Sequence, residues 1–208
     1  MQITDRVYSL DCTRQSHVYA ISQEDGTVLI DTSMPGASKD IIAELRAQGM
    51  ANVLAILLTH HDVDHTGNAA ALQDEFGCPV YISATDLDYI TGAKHREKTK
   101  RLIGALIKVR PPKDLRPLPE GQLLGVTILP TPGHTPGHTC YLSDGVLFAG
   151  DLMSTRDGVL RHSQPIMTWN MPDVLRSVAS IKSCGAKWVC PGHGAPVQAD
   201  AQTVWPDS

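Results

Sequence analysis

Short apolar stretches alternate with turn residues near the start of the chain. Residues 17–22 and 27–31 are rich in β-branched and aromatic side chains, which favour strands. The four residues between them, 23–26, end in an Asp-Gly pair that is typical of a tight hairpin turn. The pattern therefore predicts that the chain opens with a β-meander.

The pattern then changes to alternating helices and strands. Residues 38–48 place apolar side chains at helical spacing, and residues 53–58 form a continuous apolar run that is typical of a buried strand. The same order recurs, with a helix predicted over about residues 67–76 and a strand over residues 79–83. The first half of the chain is thus predicted to combine a meander with strand-helix-strand units.

The second half of the chain follows the same order after an interruption. Residues 84–120 are predicted to form a mostly helical excursion from the core, with basic residues within 94–101. The remaining predicted elements are strands at 126–130, 138–142, 145–150 and 187–191 and a helix at about 172–183. Both halves run from strands to a strand-helix-strand pattern, which predicts an α/β fold of two packed sheets with helices outside. We expect a single domain over residues 1–208, because no linker-like stretch interrupts the sequence.

Composition and charge exclude several classes of protein. Hydrophobic residues make up 42% and charged residues 19% of the chain, as in ordinary globular proteins. The net charge of -4 gives no basic field that would attract nucleic acid, and no apolar run approaches the ~18 residues of a membrane span. The N-terminal residues do not resemble a signal peptide, and the five cysteines form no CxxC pair. We therefore expect a cytoplasmic protein with reduced thiols and a small-molecule substrate, without nucleic-acid or membrane partners.

The strongest chemical signal is the segment LLTHHDVDHTGN, residues 57–68, at the end of a predicted strand. Within six residues it contains four side chains of the kinds that bind divalent metals: His60, Asp62, Asp64 and His65. A polar turn is the alternative, but the spacing H-x-D-x-D-H is expected by chance only about 0.0025 times in a chain of this composition. Loops at strand ends are where functional sites are commonly built, so we predict a metal site here.

Three later segments add side chains of the same kinds at the ends of predicted strands. TPGHTPGHT contains His134 and His138, LFAGD ends in Asp151, and VCPGHG contains His193. Together with residues 57–68, these segments predict one site that is assembled from several loops.

The four segments, in this order, resemble the motifs of the metallo-β-lactamase superfamily: T-H-x-H-x-D-H-x-G, G-H-T-x-G-H, G-D and G-H-G. The resemblance covers about residues 3–197 and is specific for the fold rather than for the substrate. It implies a four-layer αββα sandwich and a hydrolase that holds two divalent metal ions. The chain departs from the commonest motif at Asp62, where that motif has His.

The resemblance also implies seven metal ligands. Those of the first ion would be His60, Asp62 and His134. Those of the second ion would be Asp64, His65 and His193. Asp151 stands where the superfamily has a carboxylate that bridges both ions, beside a shared water or hydroxide. We expect Asp62 to bind metal through its carboxylate, and the alternative is a weakened or empty first site.

Four features beside these motifs have separate interpretations. His61 lies between ligands at a variable position and is predicted to point away from the metals, whereas His138 is predicted to be a structural hydrogen-bonding residue. Asp31, at the end of a predicted strand, is expected to hydrogen-bond near the site rather than to take part in catalysis. The basic stretch 94–101 is expected to be a solvated helix face, and binding of an anionic substrate is the alternative.

The implied activity is hydrolysis, in which the dinuclear site activates a bridging hydroxide that Asp64 orients as the catalytic residue. The substrate would be a small-molecule ester, thioester, lactone or phosphoester. Zinc is the expected metal, with iron and manganese as alternatives because Asp62 adds an oxygen donor. Two other functions stay open: a sulfur dioxygenase of the same fold that uses one iron, and a metal-binding protein without turnover. Glyoxalase II has the same motifs but follows the last of them with a helical domain, whereas 15 residues follow His193 here.

Overall fold

The first of two large sheets is built from the N-terminal half of the chain. The computed structural model describes residues 1–13, 15–95, 107, 109–200 and 203–206. The six strands of this sheet are β1 (Val7–Ser9), β2 (Tyr19–Gln23), β3 (Gly26–Ile30), β4 (Val53–Leu57), β5 (Val80–Ile82) and β6 (Leu115–Pro117). They follow chain order across the sheet. β1 to β3 pair antiparallel, which confirms the predicted meander, and β3 to β6 pair in parallel.

Helices connect the parallel strands of this sheet. They are α1 (Ser38–Ala47), α2 (Val63–Thr66), α3 (Ala69–Phe76) and α4 (Ala84–Thr91). The helix predicted over about residues 67–76 therefore begins at Ala69, after the separate single turn of α2. Among the described residues, no helix combines the length and the apolar character needed to span a bilayer.

The second large sheet is built from the C-terminal half of the chain. It begins with β7 (Gln122–Leu123), β8 (Val126–Pro130), β9 (Thr139–Ser143) and β10 (Val146–Gly150). A separate hairpin follows, formed by β11 (Met153–Arg156) and β12 (Val159–His162). After α5 (Met171–Ile181), the sheet is completed by β13 (Trp188–Pro191) and β14 (Val197–Gln198). The strand order is β14-β13-β10-β9-β8-β7, and β10 and β13 are parallel.

The two sheets pack face to face because alternate side chains of their strands point to opposite faces. On β3, Val28 and Ile30 are buried between the sheets with Phe148 of β10, whereas Leu29 packs under α1 and α3. On β10, Leu147 is buried on the outer face against α5. A sheet that is covered on both faces requires continuous apolar strands, as the sequence shows for residues 53–58. The fold is therefore the expected four-layer αββα sandwich.

Residues 84–120 differ from the predicted helical excursion. Only α4 is helical among the described residues of this segment, and β6 (Leu115–Pro117) pairs in parallel with β5 as the edge strand of the first sheet. The expectation of an excursion from the core is therefore wrong for β6. Pro117 argues against a strand in the sequence, because proline has no N–H donor for the sheet. An edge strand tolerates such a residue. Residues 96–106 and 108, which include most of the basic stretch, lie outside the described residues.

Candidate metal centre

Four loops at the ends of strands bring the predicted metal ligands together. The loop after β4 continues into α2 and carries four of these residues, and the 131–138 loop between β8 and β9 carries His134. Asp151 directly follows β10, and His193 follows β13. Because β10 and β13 are parallel neighbours, their carboxyl ends meet at the same edge of the sheet. All seven predicted ligands lie in two groups, and each group could hold a metal ion.

The first group consists of His60, Asp62 and His134, all buried. Oδ2 of Asp62 lies 3.1 Å from Nε2 of His134 and 3.4 Å from Nε2 of His60. One carboxylate oxygen thus faces two imidazole nitrogens. Asp62 therefore occupies a position in which its carboxylate can take the place of the His of the commoner motif.

The second group consists of Asp64, His65, Asp151 and His193. Oδ2 of Asp64 lies 3.1 Å from Nε2 of His193 and 3.7 Å from Nε2 of His65. Oδ1 of Asp151 lies 3.2 Å from Nε2 of His65 and 3.4 Å from Nε2 of His193. Two carboxylates and two imidazoles therefore converge on one small volume.

Asp151 connects the two groups. Its Oδ1 faces the second group, whereas its Oδ2 lies 3.5 Å from Nε2 of His134 in the first group. The two oxygens of one carboxylate are thus directed at different groups of donors. This is the arrangement required of a carboxylate that bridges two ions.

The spacing and the hydrogen bonding of the donor atoms fit a metal ion. Ligands at 2.0–2.1 Å from a tetrahedral ion are separated by roughly 3.3 Å. The close contacts between imidazole nitrogens and carboxylate oxygens here run from 3.1 to 3.7 Å, and all ligand atoms within each group lie within 4.8 Å of one another. Nε2 of His60, Nε2 of His65 and Oδ1 of Asp151 are buried and have no hydrogen-bond partner among the described residues. Buried polar atoms are normally paired, so these atoms indicate a ligand for which the site is built.

Each of the four histidines is oriented by a hydrogen bond at its other ring nitrogen. Nδ1 lies 2.9 Å from Thr59 Oγ1 in His60, 2.7 Å from Asp31 Oδ2 in His65, 2.6 Å from Ser163 Oγ in His134 and 2.6 Å from Gln15 O in His193. A proton on Nδ1 leaves the lone pair of Nε2 directed at the donor group, which is the form that binds metal. Partners of this kind are typical of metal-ligating histidines.

His138 lies next to the site but has a different environment. Its Nε2 accepts a hydrogen bond from the Asp151 N–H at 3.2 Å, and its Nδ1 lies 3.0 Å from Thr131 Oγ1. Both ring nitrogens are engaged, as expected for a structural hydrogen-bonding residue. Asp31 also behaves as predicted, since it accepts hydrogen bonds from the backbone N–H and the hydroxyl of Thr59, both at 2.8 Å.

The carboxylates strongly change the pKa values of the histidines. Burial alone would lower the pKa of His65, but Asp151 and Asp31 raise it well above the usual value. Burial likewise opposes protonation of His193, yet Asp151 and Asp64 raise its pKa to about 10. Without metal, His65 and His193 of the second group therefore bind protons, because the neighbouring carboxylates stabilise their positive charge. A divalent cation that binds there would have to displace them.

Two features of the site could not be found from the sequence. Ser163 is 29 residues from His134, and its hydroxyl also donates a hydrogen bond to Asp151 O at 2.6 Å. His61 was predicted to point away from the metals, and it belongs to neither donor group; its Nδ1 lies 2.8 Å from Asp86 Oδ2, and its Nε2 lies 3.8 Å from Asp62 Oδ1. The only signal for Asp86 in the sequence is its position three residues after Ser83 at the start of α4.

The donor groups open onto a cavity of about 220 Å³. Beside members of both groups, it is lined by Met153, Ser154, Ser163, Gln164 and Met167. These five side chains are uncharged. They offer apolar surface together with a few hydrogen-bonding groups, as is typical of a site for a small molecule.

The chain is similar in sequence and in structure to known metal-dependent hydrolases and related proteins. A family model described as the metallo-beta-lactamase superfamily matches residues 13–193. The chain is 30% identical to a hydroxyacylglutathione hydrolase of Xanthomonas axonopodis pv. citri, over 90% of this chain and 64% of that protein. It is 29% identical to the probable metallo-hydrolase MJ0888 of Methanocaldococcus jannaschii, over 80% and 82% of the two chains. Among solved structures, TTHA1623 in a di-iron-bound form matches with a TM-score of 0.71 at 30% identity, over 88% of this chain and 90% of that chain.

Proposed function

The chain belongs to the metallo-β-lactamase superfamily, and from this membership we propose that it is a hydrolase with a dinuclear metal centre. Its substrate would be a small-molecule ester, thioester, lactone or phosphoester. The observation that carries the proposal is the position of Asp151, whose two oxygens face different donor groups. A carboxylate in this position would hold two ions side by side, as hydrolytic two-metal sites require.

The ligands are assigned by the donor group in which each side chain lies. The first ion would be held by His60, Asp62 and His134. The second ion would be held by Asp64, His65 and His193. Asp151 would bind both ions. The side-chain distances and the unpartnered Nε2 atoms described above support these assignments.

Two bound divalent ions would polarise the carbonyl or phosphoryl oxygen of the substrate and make a water molecule nucleophilic at neutral pH. The residues of the chain would provide orientation. Asp64 lines the cavity and lies 3.1 Å from His193, so its carboxylate would orient the attacking water. Asp31 and Ser163 would keep the Nε2 atoms of their histidine partners directed at the centre.

The cavity supports a small substrate with an apolar part. Met167 would contact the apolar part of the substrate, and Ser154 and Gln164 would offer hydrogen bonds. Similarity to a hydroxyacylglutathione hydrolase keeps thioesters in the proposed substrate class. That relative is longer, since this chain spans 64% of its length, so its activity as a whole is not transferred.

The metal is proposed to be zinc, with iron or manganese as alternatives. Asp62 supplies an oxygen donor that suits manganese, and the similar protein TTHA1623 was solved in a di-iron-bound form. A dioxygenase with a single iron remains the alternative activity. The hydrolase has more support because a second group of four donors lies directly beside the first.

The test combines metal content with turnover. Protein purified without chelator would be analysed for metals, stripped, reloaded and assayed with p-nitrophenyl acetate, S-lactoylglutathione, γ-butyrolactone and p-nitrophenyl phosphate. We expect about two ions per chain and a hydrolytic activity that is lost on stripping and restored on reloading. Fewer than about 0.3 equivalents after supplementation, or hydrolysis that persists without metal, would refute the proposal. One iron with thiol oxidation would support the dioxygenase, and two ions without turnover would support a binding protein.

A further inference from the structure

Asp86 is a fully buried carboxylate in the first turn of α4 that the proposed chemistry does not use. Its Oδ2 accepts hydrogen bonds from the Thr135 hydroxyl at 2.7 Å and from the His61 backbone N–H at 3.2 Å, and it lies 2.8 Å from His61 Nδ1. Its Oδ1 accepts a hydrogen bond from the Gly137 N–H at 2.7 Å. A buried carboxylate is costly unless donors surround it, and here both oxygens are satisfied.

These donors belong to two different loops. His61 lies in the loop after β4, between His60 and Asp62, whereas Thr135 and Gly137 lie in the 131–138 loop that carries His134. The two loops supply all three members of the first donor group. One carboxylate therefore joins the backbone segments on which that group depends.

The local sequence would allow Asp86 a different role, in capping its own helix. Ser83 and Asp86 have the spacing of a capping box, and Ser83 Oγ accepts a hydrogen bond from the Asp86 N–H at 3.2 Å. In such a box the acidic side chain would turn back to the start of the helix. The Asp86 carboxylate turns to the two loops instead. Gly137 permits this approach, because a Cβ there would collide with Ser83 Oγ and lie 2.7 Å from Asp86 Oδ1.

The His61 ring extends the contact from Asp86 to Asp62. The ring stacks on Tyr89 of α4, with 4.4 Å between centroids and an angle of 11° between planes. Its Nδ1 faces Asp86, and its Nε2 lies 3.8 Å from Asp62 Oδ1. The oxygen of Asp62 that faces His61 is the one not directed at His60 and His134. His61 therefore lies between Asp86 and the side chain at which this protein departs from the commoner motif.

We propose that Asp86 is the positioning residue of the first metal site, acting directly on the 131–138 loop and through His61 on Asp62. The inference rests on the proposed function only for the presence of the two ions. The second site has a corresponding carboxylate, Asp31, which lies 2.7 Å from Nδ1 of His65. Replacing Asp86 should therefore weaken one ion selectively. Stability alone gives little reason for such a group, since a buried carboxylate is costly to remove from water.

The experiment measures the affinities of both ions by chelator competition in three proteins: wild type, Asp86→Asn and Asp88→Asn. Asparagine at 86 must point its NH₂ group at the donors on one side, so one contact becomes repulsive whichever way the amide turns. Asp88→Asn is the matched control, because it removes the same charge from the same helix at an exposed ion pair with Lys94. We expect Asp86→Asn to weaken one ion by about ten- to a hundredfold and the other by less than about threefold. Asp88→Asn should change neither affinity.

A milder variant covers the case in which Asp86→Asn does not fold. Thr135→Val removes a single hydrogen bond to Asp86 and should weaken the same ion by a smaller factor. Equal weakening of both ions, or unchanged affinities in a folded Asp86 or Thr135 variant, would overturn the inference. Two ions in the wild type without any hydrolysis would refute the proposed activity but leave this comparison intact. A wild type that binds no ion would refute both.

Discussion

Oδ2 of Asp31 lies 2.7 Å from Nδ1 of His65, and both side chains are buried. Asp31 follows β3, and His65 lies in α2 beyond the next strand of the sheet. The same carboxylate accepts a hydrogen bond from the Thr59 N–H, which precedes His60. Asp31 therefore contacts a side chain of the second donor group directly, and it holds the backbone that precedes the first group.

Asp31→Asn should lower metal affinity more than it lowers stability. The amide must direct its NH₂ group either at the Thr59 N–H, which repels it, or at Nδ1 of His65, where it favours the tautomer with a proton on Nε2, which cannot bind metal. We expect metal affinity at the site containing His65 to fall by about ten- to a hundredfold, and the free energy of unfolding to fall by about 1–3 kcal/mol. Chelator competition and urea denaturation measure the two quantities. Asp25→Asn, at an exposed turn, is the control, and equal losses in both variants would contradict this role.

His138 and Asp151 are hydrogen-bonded neighbours that should respond differently to removal. His138→Ala leaves the Asp151 N–H without its acceptor and removes one contact of the Thr131 hydroxyl, so it should destabilise the fold by about 1–3 kcal/mol but retain both ions. Asp151→Ala deletes the carboxylate that faces both donor groups. It should lower kcat/KM by more than the ~100-fold typical of a supporting residue.

Metal content and kcat/KM of the two folded variants provide the comparison. Asp64→Ala should resemble Asp151→Ala in activity, because it also removes a carboxylate from the second group. A folded, fully metallated His138→Ala protein that is as inactive as Asp151→Ala would contradict the distinction between ligand and structural histidines.

The ligand-bearing segments could be predicted from the sequence because each is short and local. Four of the seven predicted ligands lie within six residues, and the strand before them is a continuous apolar run. The contacts that orient the ligands are not local. Ser163 contacts His134 across 29 residues, and Gln15 contacts His193 across 178. The sequence contains no pattern that predicts these long-range hydrogen bonds, because they depend on how the loops pack.

The fold was predictable where elements were long and periodic. β8 has the predicted bounds, and α5 begins one residue before the predicted helix. The strands that were missed are short: β1, β7 and β14 have two or three residues, and β11 and β12 have four. A repeat of two residues cannot be recognised over such a length. β6 was missed for another reason, since its Pro-rich sequence argues against a strand except at the edge of a sheet.

Metal binding should release protons, because the metal-free second group holds them. Asp151 and Asp64 overcome the effect of burial and raise the pKa of His193 to about 10, and the pKa of His65 is also raised well above its usual value. Both histidines are therefore protonated at pH 7 without metal. Since metal binds the deprotonated nitrogen, loading the protein at pH 7 should release the two protons of His65 and His193, and a third where the metal-bound water is deprotonated. Calorimetric titration in buffers of different ionisation enthalpy measures this number.

The same pKa shifts predict how the stability of the metal-free protein depends on pH. A raised pKa in the folded state stabilises the fold fully below the unfolded value of about 6.5. That contribution is lost as the pH rises through the folded value, which is about 10 for His193. The metal-free protein should therefore lose stability between pH 7 and pH 10, and the metal-loaded protein should lose less. Identical stability profiles with and without metal would contradict the assignment of these histidines.

Asp62 should determine which metal the first site prefers. Its Oδ2 lies 3.1 Å from Nε2 of His134 and 3.4 Å from Nε2 of His60, so the site would offer one oxygen and two nitrogen donors beside Asp151. Carboxylate oxygens suit manganese, whereas imidazole suits zinc and iron. Asp62→His should therefore shift the ratio of zinc to manganese affinity towards zinc, by about tenfold.

Asp62→Asn separates donor type from charge. The amide keeps an oxygen donor but removes the negative charge, so both metals should bind more weakly while their affinity ratio changes little. Competition between the two ions, monitored by elemental analysis after gel filtration, gives the ratio for each variant. If Asp62→Asn shifted the ratio as far as Asp62→His, charge rather than oxygen ligation would set the preference. If Asp62→His left both the affinity ratio and the total metal content unchanged, Asp62 would not be a ligand. The first ion would then be held only by His60, His134 and Asp151.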